Sequence, residues 1–187
     1  MIPVTNLRAG TVFQENGQPF LVLKYEHTKL GRGTATIKLK IKNLKSKIIR
    51  EKTFISGARV EEAEVEKKSL QFLYQDEKKV VFMDPRSFEQ VEVGKEILEG
   101  KEGFLKEGEV VEVLFFEGEP VSMELPLSLA LAVKETGPGV RGDSATNIFK
   151  PATLENGLVV KVPLFVKVGD KVKIDTRTGE YVERVKE

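Results

Sequence analysis

The residues best equipped for chemistry are Lys29-Leu30-Gly31-Arg32-Gly33-Thr34-Ala35, which hold one arginine between two glycines. Glycine on each side opens φ values closed to other residues, so the chain can turn tightly. A long cation then stands at the tip of a hairpin, where it can supply phosphate contacts. Read locally, the same residues are also an ordinary hairpin turn carrying a solvated arginine.

Bond-making chemistry has little material. His27 is the single histidine, with no Ser or Asp placed beside it as a triad would need, although triad partners need not be local. It reads as a solvated strand residue near a basic loop. Cysteine is absent, which excludes disulfides, thiolate metal sites and a thiol nucleophile. Carboxylates alone would suit calcium or magnesium, but no EF-hand spacing is present. Gly31-Arg32-Gly33 lacks the lysine and hydroxyl of a phosphate loop, and its strand context is wrong for a dinucleotide turn. Arg141-Gly142-Asp143 is an accidental tripeptide in a cysteine-free chain. No catalytic residue, metal or cofactor is therefore expected.

A net charge of +1 conceals a strong asymmetry. Residues 1–60 hold 12 Lys/Arg against 3 Asp/Glu, a net of +9. Residues 61–127 hold 8 against 18, a net of −10, and residues 128–187 hold 10 against 8. A basic first third points to a polyanion partner, because clustered cations gain from counterion release on binding phosphates. The acidic middle should sit away from nucleic acid or face basic protein. No apolar run is long enough to span a membrane, and the first residues lack the pattern of a signal peptide. A cytoplasmic protein with no membrane partner is expected.

The elements that must position the arginine are strands. Thr11–Phe13, Pro19–Tyr25 and Thr34–Ile41 are rich in branched and aromatic residues, and Asn16-Gly17 is a hairpin signal between the first two. The third alternates, with Ile37, Leu39 and Ile41 on one face and Lys38, Lys40 and Lys42 on the other. That lysine ladder is a solvated face, an edge guard or, with Lys45, Lys47 and Arg50, a phosphate-facing surface. Ser69–Gln75 and Val80–Met83 pair across a polar turn, and Phe88–Val93 alternates again. Gly94–Gly103 is the best helix candidate, too short to stand without tertiary support. Val110–Phe116 and Pro120–Leu125 form a hairpin around Glu117-Gly118-Glu119. Pro126 is a plausible boundary. Beyond it, strands are expected from Leu127 to Glu135, Gly157 to Pro163, Leu164 to Val168, Lys171 to Asp175 and Tyr181 to Val185. Phe72, Phe82, Phe115 and Phe165 stand at inward-reading positions and are expected in the core. Many short strands with almost no helix predict an all-β fold of three small barrels, at residues 1–63, 64–127 and 128–187. Such barrels are frequent nucleic-acid platforms.

Particular motifs carry a resemblance beyond this. Lys150-Pro151-Ala152-Thr153-Leu154, Val160-Lys161-Val162-Pro163-Leu164-Phe165-Val166, Gly169-Asp170 and Asp175-Thr176-Arg177-Thr178-Gly179-Glu180-Tyr181 with Arg184 are similar to the bacterial translation elongation factor P family. Phe82-Met83-Asp84, Phe88-Glu89-Gln90, Asn6-Leu7-Arg8-Ala9-Gly10 and Lys52-Thr53-Phe54 agree in collinear order across the chain. The resemblance implies an N-terminal KOW-like, SH3-like barrel and two OB folds in an L-shaped, tRNA-like arrangement. It implies a monomeric, non-enzymatic factor that binds the ribosome between the peptidyl-tRNA and exit sites and promotes peptide-bond formation at polyproline stalls. Its partners would be ribosomal RNA and the acceptor end of the peptidyl-tRNA.

By the same resemblance Lys29, Gly31, Arg32 and Gly33 form the tip loop that contacts tRNA. The family's functional side chain there, often a modified lysine, falls on Arg32. One branch carries arginine, rhamnosylated by a dedicated arginine rhamnosyltransferase, which makes Arg32 the modification site and that enzyme a partner. Leu30 replaces a common proline and Gly33 a common asparagine, so an unmodified Arg32 is the alternative. Gly142-Asp143-Ser144 stands where the family has a Gly-Asp-Thr motif associated with the exit-site codon; a polar turn is the other reading. The following Thr146-Asn147-Ile148-Phe149 departs from the family's small, glycine-containing sequence. An elongation factor P-like paralogue and a generic β-barrel RNA-binding protein are the competing assignments.

Overall fold

The computed structural model describes residues 1–29, 35–138 and 148–185. Its first sheet contains Ile2–Pro3 (β1), Val12–Glu15 (β2), Gln18–Thr28 (β3), Thr36–Asn43 (β4), Ile49–Ile55 (β5) and Arg59–Glu62 (β6), in the order β1-β6-β2-β3-β4-β5. Asn16 and Gly17 take φ of 52° and 69°, the double left-handed turn that a two-residue hairpin demands. That turn sets Glu15 against Gln18 and Phe13 against Phe20, whose rings stack 5.7 Å apart. Leu7, Phe13, Val22, Ile37, Leu39 and Ile41 fill the interior of this sheet, so the alternation of β4 places its apolar face as expected.

The second sheet contains Val65–Gln75 (β7), Lys79–Met83 (β8), Gln90–Gly94 (β9), Val110–Phe116 (β10) and Glu119–Glu124 (β11). The third contains Ser128–Thr136 (β12), Phe149–Leu154 (β13), Val159–Pro163 (β14), Lys171–Asp175 (β15) and Tyr181–Arg184 (β16). Their orders, β11-β10-β7-β8-β9 and β14-β13-β12-β15-β16, are one topology used twice. In each, the first strand lies between the second and the fourth, as in an OB fold. In the third sheet β14 also meets β16, and Leu131, Leu154, Val162, Val166, Val172 and Ile174 fill the interior. The molecule is therefore all-β, with a KOW-like sheet followed by two OB sheets. Packing divides it into two compact units, Met1–Lys68 with Val113–Ser122, and Ser69–Glu112 with Met123–Glu187. Among the described residues no helix is long and apolar enough to cross a membrane.

Four local expectations are corrected. Gly94–Gly103 is not an α-helix but two short 3-10 turns, Lys95–Leu98 and Glu102–Phe104. Between them Glu99 and Gly100 take φ of 50° and 80°, and the few residues on either side are too short to repay helix nucleation. Phe88 does not begin β9. The Asp84 carboxylate accepts from the Arg86 and Ser87 N–H groups, and the Phe88 N–H donates to the Asp84 carbonyl, so Phe88 is held in a turn at φ 60°. Leu164–Val168 is not a strand, because the Val166 N–H donates back to the Pro163 carbonyl and turns the chain. That turn buries Val166 and leaves Phe165 57% exposed, so Phe165 is not core as expected; the Arg184 guanidinium lies 5.6 Å from its ring centre. Phe72, Phe82 and Phe115 are buried as expected.

The β15–β16 turn makes a prediction of its own. The Arg177 guanidinium, and next the Arg177 backbone N–H, bond the Asp175 carboxylate and hold its pKa at about 2. A depressed carboxylate contributes stability that is present above its unfolded pKa and lost as pH falls through the folded one. Unfolding monitored between about pH 4 and pH 2 should thus steepen in wild type, and Asp175→Asn should flatten that part of the profile.

Candidate nucleic-acid interface

β3 and β4 form the longest hairpin of the first sheet, paired from Phe20↔Asn43 to Thr28↔Thr36. Leu39 and Ile37 anchor its distal half, Leu39 opposite Tyr25, and the Arg8 guanidinium covers the Tyr25 ring at 4.9 Å. A register shift between Val22 and Lys24 bends the ladder. Lys29 follows β3 and Ala35 precedes β4, and Lys29 is exposed. Gly31, Arg32 and Gly33 lie outside the described residues, as do Gly142, Asp143 and Ser144.

One face of the hairpin is polar and strongly cationic. Lys24 stands directly opposite Lys40, and Glu26 opposite Lys38. Like charges across a ladder are unfavourable, so this pairing costs stability unless something relieves it. Glu26 bonds Lys24 at 2.5 Å and Glu51 bonds Lys38 at 2.7 Å. Lys24 accordingly holds the Glu26 carboxyl below its usual range, and Glu51 holds the Lys38 ammonium above its own. Lys40 has no ion-pair partner among the described residues. Solvent screens exposed pairs of this kind and they contribute little to stability, so approaching phosphates can take the lysines at little cost.

Three other cations of the basic block serve the fold. Arg50 is opposite Ile41 in register, bonds Glu15 at 3.4 Å and covers the Phe20 ring at 4.8 Å. Lys47 donates to the Val121 carbonyl at 2.6 Å, and Lys45 lies 3.9 Å from Glu119. The phosphate-facing surface is thus narrower than the sequence expectation: Lys45, Lys47 and Arg50 are engaged elsewhere. His27 is an exposed residue of β3 opposite Ile37.

Around the second loop, the Thr136 hydroxyl donates to the Pro151 carbonyl at 2.9 Å. The Lys150 side chain is drawn inside, 8% exposed, and donates to the Gly137 carbonyl at 2.7 Å. Sequence reading gave Lys150 no role beyond a motif. Its place on the inner side of β13, between outward Phe149 and Pro151, is the signal that could have found it.

If the ladder meets a polyanion, its affinity depends on salt through each phosphate neutralised. Replacing Lys24, Lys38 and Lys40 together by Ala should weaken binding to any RNA and lower the log–log salt slope by about 0.7 per lost contact for single strands. Binding measured across a salt series checks this.

Three serial β-sheets, two of them in the OB strand order, and a lysine-faced hairpin are features frequent among nucleic-acid platforms. Comparison with known proteins then places the chain. The family model for the elongation factor P KOW-like domain matches residues 3–60, that for the elongation factor P OB domain residues 65–123, and that for the elongation factor P C-terminal domain residues 129–184. Elongation factor P of Oleidesulfovibrio alaskensis is 44% identical over 184 residues, covering 98% of this chain and all of the relative. Elongation factor P of Clostridioides difficile is 44% identical over 185 residues, covering 99% of this chain and again all of the relative. A solved structure of eukaryotic translation initiation factor 5A from Methanococcus jannaschii superposes with a TM-score of 0.50 at 24% identity, covering 65% of this chain and 94% of that one, and supports the fold alone. The chain belongs to the elongation factor P family, and is a translation elongation factor.

Proposed function

We propose that this protein binds the ribosome between the peptidyl-tRNA and exit sites and promotes peptide-bond formation at consecutive prolines. The observation that supports the reading is the full-length family match, beside which the cation-faced β3–β4 hairpin offers a surface suited to phosphates. Proline is a poor nucleophile and a constrained donor. Holding the tRNA end in productive geometry converts lost freedom into rate, and positioning of this kind needs no catalytic side chain. The factor is accordingly not an enzyme; ribosomal RNA does the chemistry.

In this reading Arg32 reaches the acceptor end of the peptidyl-tRNA from a tip formed with Lys29, Gly31 and Gly33. The lysine ladder supports it by contacting backbone phosphates. Gly142, Asp143 and Ser144 meet the exit-site codon, with Lys150 securing the start of that loop at Gly137. The domains run over residues 1–63, 64–127 and 128–187, and the factor acts in the cytoplasm as a monomer. Arg32 carries a rhamnose in its native host, added by an arginine rhamnosyltransferase. The mass of a peptide spanning Arg32, taken from native cells, tests that part, and an unmodified mass contradicts it.

Ribosome profiling of a deletion strain tests the function. Pauses concentrated at proline runs support it. Pauses at other sequences would favour a paralogue with a different target, and RNA binding without ribosome dependence a generic RNA-binding protein.

A further inference from the structure

The third sheet carries an exposed apolar strip on the outer side of β13 and β14. Along β13 and β14 the outward pairs are Phe149↔Pro163, Pro151↔Lys161 and Thr153↔Val159. Phe149 is 49% exposed and Val159 64%, while the alternate residues Ala152, Leu154, Val160 and Val162 are buried. The core therefore does not need Phe149. Unlike Phe165, whose ring is covered by Arg184, Phe149 makes no ring or cation contact among the described residues. Lys161 is exposed and has no ion-pair partner among the described residues. It sits diagonally across the ladder from Phe149, within reach of a long side chain. Glu135, opposite Thr153, lies at the far end of the strip and leaves the Phe149 end to the cation.

β13 and β14 are the second and third strands of this OB sheet, the face on which OB folds take oligonucleotides. A free aromatic face beside an unpaired cation is the pairing that single-stranded nucleic acid requires, with the ring for a base and the ammonium for its phosphate. A protein docking face would explain the apolar residues but not the unpaired lysine among them.

We propose that Phe149, Pro151, Pro163 and Lys161 form a stacking platform for single-stranded RNA on the outer face of β13–β14. The platform deepens the reading of residues 142–144 as a codon contact and rests on it for the source of the RNA. Its chemistry is independent of that source.

Full-length protein titrated into a short fluorescein-labelled oligouridine, read by anisotropy, tests it. The parent for this test is the Lys24→Ala, Lys38→Ala, Lys40→Ala protein, so that the cationic hairpin does not mask the platform. Phe149→Ala should weaken binding about tenfold and Phe149→Trp should preserve it, since any base can stack on either ring. Lys161→Ala should lower the log–log salt slope by about 0.7. Thermal unfolding should be unchanged in all three, because these side chains point outward. Oligouridine binding unaffected by Phe149→Ala overturns the platform. So does a Phe149→Ala protein that binds oligouridine normally but loses the ribosome, which would mark a protein contact. Failure of the elongation reading would appear separately, as proline-run synthesis indifferent to the protein while oligouridine binding still depends on Phe149.

Discussion

Arg32→Ala is expected to slow peptide-bond formation at a proline run by about 10²-fold relative to the wild-type factor, bringing it near the rate without factor. The size follows from the mechanism. A factor that works by positioning loses its advantage when the group in contact with the positioned end is gone, even if it still docks. Ribosome affinity should change far less, because Lys24, Lys38 and Lys40 remain on the hairpin face. Rate and affinity should therefore separate in Arg32→Ala, and move together in the triple lysine variant. Quench-flow kinetics on purified ribosomes, with binding measured in parallel, checks both.

Phe13→Ala is expected to cost about 3–5 kcal/mol, the usual range for deleting a buried aromatic side chain. Phe13 is fully buried and stacked on Phe20 with its ring planes 26° apart. Its strand joins β3 on one side and β6 on the other, so the cavity would open beneath the hairpin that carries the tip. A loss of that size is a large part of the stability of an ordinary domain. Denaturant unfolding should show it directly, whereas Phe165→Ala, at an exposed position, should cost within about 0.5 kcal/mol.

Much of this arrangement was legible in the residues. The period-two alternation of Ile37, Leu39 and Ile41 against Lys38, Lys40 and Lys42 fixes which face of β4 is buried, because a half-buried strand admits one solution. Asn16-Gly17 and Glu117-Gly118 declared their turns through the left-handed backbone that such hairpins need. What failed to read depended on contacts distant in sequence or on a single hydrogen bond. Phe165 sits in an apolar run, and only the turn closed by the Val166 N–H turns it outward. Arg50 reads like the neighbouring lysines, yet its register opposite Ile41 sends it to Glu15 and Phe20. The cationic block at residues 1–60 was visible as composition, but its division into a ladder and a set of structural cations required the pairing of strands. Arg32 and Asp143 lie outside the described residues, and the roles proposed for them follow from the family resemblance.

In the proposed function this factor accelerates synthesis specifically at proline runs. Purified ribosomes programmed with consecutive proline codons, and in parallel with a message lacking them, give the direct measurement. Faster peptide-bond formation with the protein on the proline message alone is the predicted result. Equal rates with and without it on the proline message, using factor purified from its native host, would contradict the account.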